Sequence, residues 1–147
     1  MVRGEGEPSR VRPGPALSSK MSRRARRDTA PELTLRKELH RRGLRYRVQL
    51  KVPGNQRRTI DVAFTRARLA VYIDGCFWHG CPEHFVTPKT RTEFWLQKIE
   101  GNRARDRDTD FRLKRMGLMP IRIWEHVDPG LASQIILDAY RTSLESL

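Results

Sequence analysis

The feature that most constrains the fold is the apolar run at residues 69–73, together with the segment that follows it. The run reads Leu-Ala-Val-Tyr-Ile and predicts a buried strand, because successive apolar residues leave no polar face for solvent. It ends at Asp74, and the next ten residues hold both cysteines and two of the four histidines of the chain. Phe77 and Trp78 lie side by side among them. We therefore expect a loop at the end of a buried strand whose side chains serve chemistry rather than packing.

The size and charge of the chain restrict its class. A length of 147 residues suffices for one domain with a single core. The formal net charge of +13 predicts a polyanionic partner, nucleic acid before membrane, although a basic solvated surface is the alternative. We find no apolar segment near the roughly 18 residues of a membrane span and no signal-peptide core, so we expect no membrane association and a cytoplasmic location. Two cysteines in such a chain favour metal ligands or free thiols over a disulfide framework.

The composition divides the chain into a tail and one domain. Residues 1–27 are rich in Gly, Pro, Ser and Arg and lack apolar periodicity, which predicts a disordered basic N-terminal tail. The arginines between residues 23 and 27 either contact phosphates or are simply solvated. Residues 28–147 carry the periodic patterns and should form the domain.

The domain should begin with a helix. Thr29 followed by Glu32 is typical of a capping box, and Pro31 suits a first helical turn. The helix should run to about Arg42 and end at Gly43, because glycine readily adopts the left-handed conformation that closes helices.

The rest of the pattern predicts a small α/β sandwich. In chain order we expect strands at residues 46–52, 59–64 and 69–73, a helix at 90–116, a strand at 119–124 and a final helix after residue 128. Gly101-Asn102 should break or kink the long helix, and Leu131, Ile135, Ala139 and Tyr140 should form the apolar spacing of the last one. The order α-β-β-β-α-β-α predicts a mixed central sheet flanked by helices in a single domain.

Two acids should meet at one edge of this sheet. Asp61 lies in the middle of the second strand, opposite the face that Ile60, Val62 and Phe64 should share, and Asp74 ends the third strand. If these strands form a hairpin, their carboxylates converge. Hard oxygen ligands of this kind hold Mg²⁺, which can activate water beside a phosphodiester and offset charge on the leaving oxygen. Acids exposed on the surface of a strand are the alternative.

Three segments of the chain resemble the hallmark segments of the very short patch repair (Vsr) DNA mismatch endonucleases. They are residues 28–32 (Asp-Thr-Ala-Pro-Glu), 75–79 (Gly-Cys-Phe-Trp-His) and 90–95 (Thr-Arg-Thr-Glu-Phe-Trp), and residues 123–125 (Ile-Trp-Glu) match as well. The resemblance covers roughly residues 21–126. It implies a restriction-endonuclease-like fold of the PD-(D/E)xK superfamily with a zinc-stabilised loop. It also implies an enzyme that nicks one DNA strand on the 5′ side of the thymine in a T:G mismatch.

The resemblance implies a set of catalytic residues. Asp61 would be the principal Mg²⁺ ligand, and Ile73 stands where the family uses a backbone carbonyl as a second ligand. His79 would act as the general base or position the attacking water, because an imidazole titrates near neutral pH. Glu32 would orient the site from the first helix.

Two positions depart from the family pattern. Many members have a histidine where this chain has Asp74, so we expect either a further metal ligand or a position that tolerates both residues, and we favour the metal ligand. The segment 57–61 also lacks the proline that usually precedes the family's catalytic aspartate. Asp61 remains the best candidate for that role.

The resemblance also implies a structural zinc. Cys76, Cys81 and His84 would supply ligands from the loop, and His126 stands where the family commonly has a cysteine. Four nitrogen and sulfur ligands close a tetrahedral site. Two free thiols or a labile disulfide are the alternatives, and the roles of His79 and His84 could be exchanged.

The expected partner is double-stranded DNA with a T:G mismatch. Three aromatic residues match those that the family wedges into the duplex, namely Phe77, Trp78 and Trp95. Three basic residues are candidate phosphate contacts, although a solvated helix face would have the same composition: Arg91, Lys98 and Arg103. We expect a nucleoid-associated monomer, with mismatch-repair proteins as further partners.

Two other functions stay open at this stage. One is a nicking nuclease of the same fold that serves phage defence or restriction and acts on paired or modified DNA. The other is a non-catalytic, zinc-stabilised DNA-binding module. The recognition sequence and its methylation context depend on side chains in the grooves, and no spacing in the chain reveals them.

Overall fold

The computed structural model describes residues 28–146, in which a four-stranded sheet is flanked by three helices. The elements are α1 (Ala30–Arg41), β1 (Arg47–Val52), β2 (Asn55–Phe64), β3 (Leu69–Asp74), α2 (Thr92–Arg115), β4 (Met119–Trp124) and α3 (Pro129–Ser146). The predicted tail at residues 1–27 lies outside the described residues. None of the helices between residues 28 and 146 has both the length and the apolar character that a membrane span requires.

The sheet has the order β1-β2-β3-β4 and is mixed. β1 and β2 pair antiparallel, as do β2 and β3, where Val62 lies opposite Val71. β3 and β4 run parallel, with Asp74 opposite Trp124, and α2 makes the crossover that a parallel pair needs. The predicted small α/β sandwich is confirmed.

Helices cover both faces of the sheet. On one face, a buried cluster joins the sheet to α1 and α3 through Leu35, Leu39, Val62, Phe64, Val71, Ile123 and Ile136. On the other face, Leu113 of α2 packs against Val52, Ile60, Ala63, Ala70 and Tyr72. The apolar run of residues 69–73 is the central strand β3, and it contributes to both clusters.

Helix α1 begins at the predicted cap. Thr29 Oγ1 accepts a hydrogen bond from the Glu32 backbone N–H at 3.4 Å, and Gly43 follows the helix with φ +90°. Glu32 is buried and pairs with Arg36. Its carboxylate is thus turned into the protein, where it can take part in a site.

Two helical details differ from the prediction. α2 runs unbroken through Gly101-Asn102, because the Asn102 side chain is buried and its Nδ2 donates to the Trp78 carbonyl at 2.9 Å. In α3 the core-facing residues include Ala132 and Ile136, whereas Leu131 and Ile135 are 57% and 44% exposed. The predicted apolar spacing is therefore wrong at Leu131 and Ile135 and confirmed at Ala139 and Tyr140, which pack against the core.

Strand β2 also departs from simple alternation. Val62 and Phe64 pack toward α1 and α3, but Ile60 packs with Leu113 on the other face of the sheet. The paired register of β2 and β3 extends only from Phe64 to Val62. The expected shared face of the three apolar residues is wrong, since the strands separate next to Asp61 and the alternation is lost there.

Candidate active site and metal-ligand cluster

A cavity of about 450 Å³ opens where β2 and β3 separate. Five acidic side chains contribute to its lining, from α1, β2, β3, α2 and the residue after β4: Glu32, Asp61, Asp74, Asp106 and Glu125. Ile73, Trp78 and His79 line it as well. The two aspartates that the sequence placed on neighbouring strands thus face the same space, as the hairpin of β2 and β3 requires.

Asp61 is held by the backbone of the neighbouring strand. Its Oδ2 accepts a hydrogen bond from the Ile73 N–H at 3.0 Å, just beyond the last residue pair of the β2–β3 ladder. Burial, together with the charge of Glu32, raises the pKa of Asp61 to about 7, and the charge of Asp74 adds to the effect. The ionised form of Asp61 is therefore short of compensating positive charge.

Asp74 lies between a cation and an imidazole. The carboxylate is buried, and Arg122 Nη1 donates to its two oxygens at 3.1 and 3.4 Å. His79 Nε2 is 3.9 Å from Asp74 Oδ1. Burial raises the pKa of Asp74 even though the charges of His79 and Arg122 act in the opposite direction.

The His79 ring is held from its other side by Asp106 of α2. His79 Nδ1 and Asp106 Oδ2 share a hydrogen bond, which leaves Nε2 toward Asp74. Burial acts to lower the pKa of His79, but the Asp106 bond and the charge of Asp74 outweigh it, so that the pKa is raised. The sequence analysis missed Asp106, because it is one of several acids in a helix dense with charge.

Glu32 is anchored within the same cavity wall. Arg36 and Gln49 both donate to its Oε2, the latter at 3.3 Å. Burial raises the pKa of Glu32 despite the neighbouring Arg36. The structure therefore brings the predicted residues Glu32, Asp61, Ile73, Asp74 and His79 to one cavity and adds Asp106 to them.

Two groups of residues could hold a metal ion. One consists of Asp74, His79 and Asp106, whose ligand atoms lie within 4.8 Å of one another. The other consists of Cys76, Cys81, His84 and His126, under the same distance limit. Asp61 belongs to neither group and faces the cavity from β2.

The cysteine and histidine group has the dimensions of a tetrahedral zinc site. His126 Nδ1 is 3.3 Å from Cys76 Sγ and 3.7 Å from Cys81 Sγ, and His84 Nδ1 is 3.8 Å from Cys81 Sγ. Zinc bonds of ordinary length give nitrogen–sulfur edges of about 3.6 Å in a tetrahedron. Both thiols are free rather than joined in a disulfide. This group could hold zinc, and it contains His84 rather than His79.

The loop backbone brings these ligands together. The Cys81 N–H donates to the Cys76 carbonyl at 2.8 Å, and Glu125 Oε2 accepts from the Cys76 N–H at 2.9 Å. Between the two cysteines, Gly80 has φ +65°, and a Cβ atom there would lie 3.2 Å from Ile99. Only glycine fits this turn without strain.

The predicted aromatic residues form one group beside the loop. Phe77, Trp78 and Trp95 meet edge to face, with ring centroids 5.3 to 5.9 Å apart. Phe85, which the sequence analysis did not single out, lies 5.7 Å from Phe77. All are partly exposed and lie outside the two buried clusters of the core, so packing of the core does not account for them.

The predicted phosphate contacts lie away from the cavity lining. Arg91 caps α2 in a left-handed conformation over the Phe94 ring, and Lys98 and Arg103 follow on the same helix. The basic residues that do line the cavity are Lys51, Arg57, Arg58, Arg105 and Arg122. Sequence alone could not select them from the 30 lysines and arginines of the chain.

A mixed sheet between helices, with acids gathered where two strands separate, defines the restriction-endonuclease-like class of nucleases. Comparison with known proteins narrows this class. The family model for DNA mismatch endonuclease Vsr matches residues 15–84. The chain is 37% identical over 123 residues to the type II nicking enzyme V.NaeI of Lentzea aerocolonigenes. The aligned residues cover 82% of this chain and 74% of that enzyme.

A second relative is named for mismatch cleavage. Over 110 residues the chain is 40% identical to the DNA mismatch endonuclease Vsr of Escherichia coli (strain K12), covering 74% of this chain and 68% of the relative. The chain belongs to the Vsr DNA mismatch endonuclease family. It is a DNA-nicking endonuclease, and nucleases of this type depend on metal ions in general. The resemblance drawn from three segments is confirmed, and the alternative of a non-catalytic module is not supported.

Proposed function

We propose that this endonuclease nicks one strand of duplex DNA on the 5′ side of the thymine in a T:G mismatch, with Mg²⁺ as its catalytic cofactor, in very short patch mismatch repair. The observation that carries the proposal is the acidic cavity with the His79 imidazole in its wall. Similarity to a relative named as a DNA mismatch endonuclease supports the choice of substrate.

The donors around the cavity suit Mg²⁺. Glu32, Asp61 and Asp74 offer carboxylate oxygens, which this ion prefers. Burial, together with the charges of Glu32 and Asp74, raises the pKa of Asp61, and a divalent cation would stabilise the ionised carboxylate. Asp61, the Ile73 carbonyl and Asp74 would hold the ion, with Asp61 as the main ligand because Asp74 is already shared with Arg122. Bound there, Mg²⁺ would lower the pKa of a water and offset charge on the leaving oxygen.

The chain's own residues would handle the proton. With Asp106 on Nδ1, the His79 Nε2, which lies 3.9 Å from Asp74 Oδ1, is the nitrogen that would accept a proton from the attacking water. Glu32, held by Arg36 and Gln49, would orient that water through its carboxylate. Each of these groups is held in place before substrate binds. Little reorganisation of the site would therefore be needed during the reaction.

A structural zinc would stabilise the loop that carries His79. Cys76, Cys81, His84 and His126 would bind it, and the nitrogen–sulfur distances between them support this ligand set. Since the loop also carries Phe77, Trp78 and His79, zinc binding would order the aromatic residues and the proposed base together.

Aromatic and basic residues would both contact the DNA. The aromatic group would enter the base stack beside the mismatch, where unstacking is easiest: Phe77, Trp78 and Trp95. The basic residues on α2 and at its start would contact phosphates: Arg91, Lys98 and Arg103. We further propose that residues 28–147 act as a monomer in the cytoplasm, at the nucleoid, with residues 1–27 as a basic tail and mismatch-repair proteins as partners.

Cleavage of defined duplexes tests the proposal. Wild-type protein and Asp61→Asn should be compared on end-labelled T:G and T:A duplexes and on supercoiled plasmid, with and without Mg²⁺. We expect a single Mg²⁺-dependent nick beside the mismatched thymine, abolished in Asp61→Asn and retained in Asp138→Asn, which removes an exposed acid of α3. The absence of any Mg²⁺-dependent nick would overturn the proposal.

A second function is favoured by the names of several relatives. V.NaeI and other relatives of this chain are named type II nicking enzymes. A role beside restriction, or in phage defence, would extend the substrate to paired or modified DNA. Cleavage of the T:A duplex, or of its cytosine-methylated form, as fast as the T:G duplex would favour this function over repair.

A further inference from the structure

Arg122 joins the acids of the candidate active site, and the proposed reaction leaves it without a role. It lies on β4 beside Tyr72 of β3, and its guanidinium carbon is 4.2 Å from the centre of the Tyr72 ring. Its side chain is only 20% exposed. Burying a guanidinium is unfavourable unless its donors are paired, so the arrangement around it is informative.

The donors of Arg122 are shared among three aspartates. Nη1 lies 3.1 Å from Asp74 Oδ1 and 3.5 Å from Asp106 Oδ1, and Nη2 lies 2.9 Å from Asp110 Oδ1. Nε completes a second bond to Asp110 at 3.0 Å. Asp106 and Asp110 are one turn apart on α2, so this one side chain links β3, β4 and the helix that covers them.

Two of these aspartates are the groups that contact His79. Asp106 bonds to Nδ1, and Asp74 lies 3.9 Å from Nε2. They come from different elements, and their carboxylates, which lie within 4.8 Å of each other, repel as like charges. The Arg122 guanidinium contacts both carboxylates and so links the two groups on either side of the ring.

We propose that Arg122 is a positioning residue for strand cleavage: its guanidinium holds Asp74 and Asp106 on two sides of His79 and so fixes the imidazole that faces the cavity. The proposal rests on the role of His79 given above. Asp74, His79 and Asp106 also form one of the two groups that could hold a metal ion. In that group Arg122 already provides the positive charge that a metal ion would provide.

Three variants test the proposal. Arg122→Met removes the charge and keeps an unbranched side chain, whereas Arg122→Lys keeps a charge that cannot span three carboxylates. Arg42→Met is the matched control, since Arg42 is 23% exposed and links Glu38 and Gln134 away from the cavity. Folding of each zinc-loaded variant is checked by circular dichroism, and Arg122→Lys serves as the test if Arg122→Met fails to fold.

Nicking kinetics give the first readout. With T:G duplex at saturating Mg²⁺, we expect Arg122→Met to lower kcat about 100-fold with KM nearly unchanged, the effect of a misplaced catalytic group. Arg122→Lys should fall between Arg122→Met and wild type, and Arg42→Met should match wild type. Normal kcat in a folded Arg122→Met variant would overturn the proposal, as would a loss that resides in KM alone.

Nitrogen NMR of the imidazole rings gives a readout that does not depend on activity. Only four histidines need to be assigned. In Mg²⁺-free protein the His79 Nδ1 resonance should be that of a hydrogen-bonded nitrogen in wild type and should shift or broaden in Arg122→Met, while His84 and His126 are unchanged. An unaltered His79 spectrum in Arg122→Met would overturn the proposal. Wild type that fails to nick DNA but shows the expected His79 change would instead overturn only the proposed function.

Discussion

Replacing Asp61 by asparagine should stabilise the Mg²⁺-free protein, although it destroys the proposed catalytic site. Asparagine has the same shape, and its Oδ1 can still accept the bond that the Ile73 N–H now donates at 3.0 Å. The substitution removes the charge and replaces one carboxylate oxygen with an NH₂ donor. Because burial and the nearby acids raise the pKa of Asp61 to about 7 in the fold, ionisation at alkaline pH opposes folding.

The size and sign of the effect follow from linkage between protonation and folding. An aspartate that titrates near 3.8 when unfolded and about 7 when folded binds more protons in the folded state between those values, so wild-type stability falls as pH rises. The full penalty is about 4 kcal/mol above pH 7.5, as an upper limit, and less than about 2 kcal/mol at pH 5. The stability of Asp61→Asn relative to wild type should therefore increase as the pH rises.

Urea denaturation of zinc-loaded protein without added Mg²⁺, followed from pH 5 to pH 8.5, measures this difference. Asp138→Asn is the control and should show no comparable gain, since that carboxylate is exposed. Mg²⁺ at a hundredfold excess over its Kd should shift the difference by about 3 kcal/mol toward wild type, because it stabilises only wild type. An asparagine variant that is less stable than wild type at pH 8, or a gap that does not vary with pH, would refute the reasoning.

Three further predictions concern the remaining parts of the molecule. Purified protein should contain one zinc per chain by elemental analysis. The Cys81→Ser variant should lose this zinc together with loop stability. The control variant His40→Ala, on the exposed side of α1, should keep the zinc. Tyr72→Phe should retain nicking and be as stable as wild type or about 1 kcal/mol more stable by urea denaturation, because the buried Tyr72 hydroxyl has no hydrogen-bond partner in the described part of the chain. If Tyr72→Phe instead loses more than about 1 kcal/mol of stability, the hydroxyl has a hydrogen-bond partner. Arg91→Gln should reduce the slope of log affinity against log salt by about 0.9 in duplex-binding titrations, whereas an unchanged slope would remove Arg91 from the phosphate contacts.

Local patterns predicted the elements well where the cause is local. The Thr29 cap, the glycine after α1 and the apolar run of β3 were all correctly placed. They depend on neighbouring residues, so a short window of sequence contains the information. The sides assigned to Leu131 and Ile135 in α3 and to Ile60 in β2 were wrong, because they depend on what each element packs against.

The site divides in the same way. Sequence alone identified the candidate ligands, namely the acids of β2 and β3 and the cysteines and histidines of the loop, and it identified the family to which the chain belongs. It could not pair His79 with Asp106, 27 positions away, or Asp74 with Arg122, 48 positions away. Those distances are set by the parallel register of β3 and β4 and by the packing of α2 across them. No local pattern encodes that geometry, because it arises only when distant segments bury their apolar faces together.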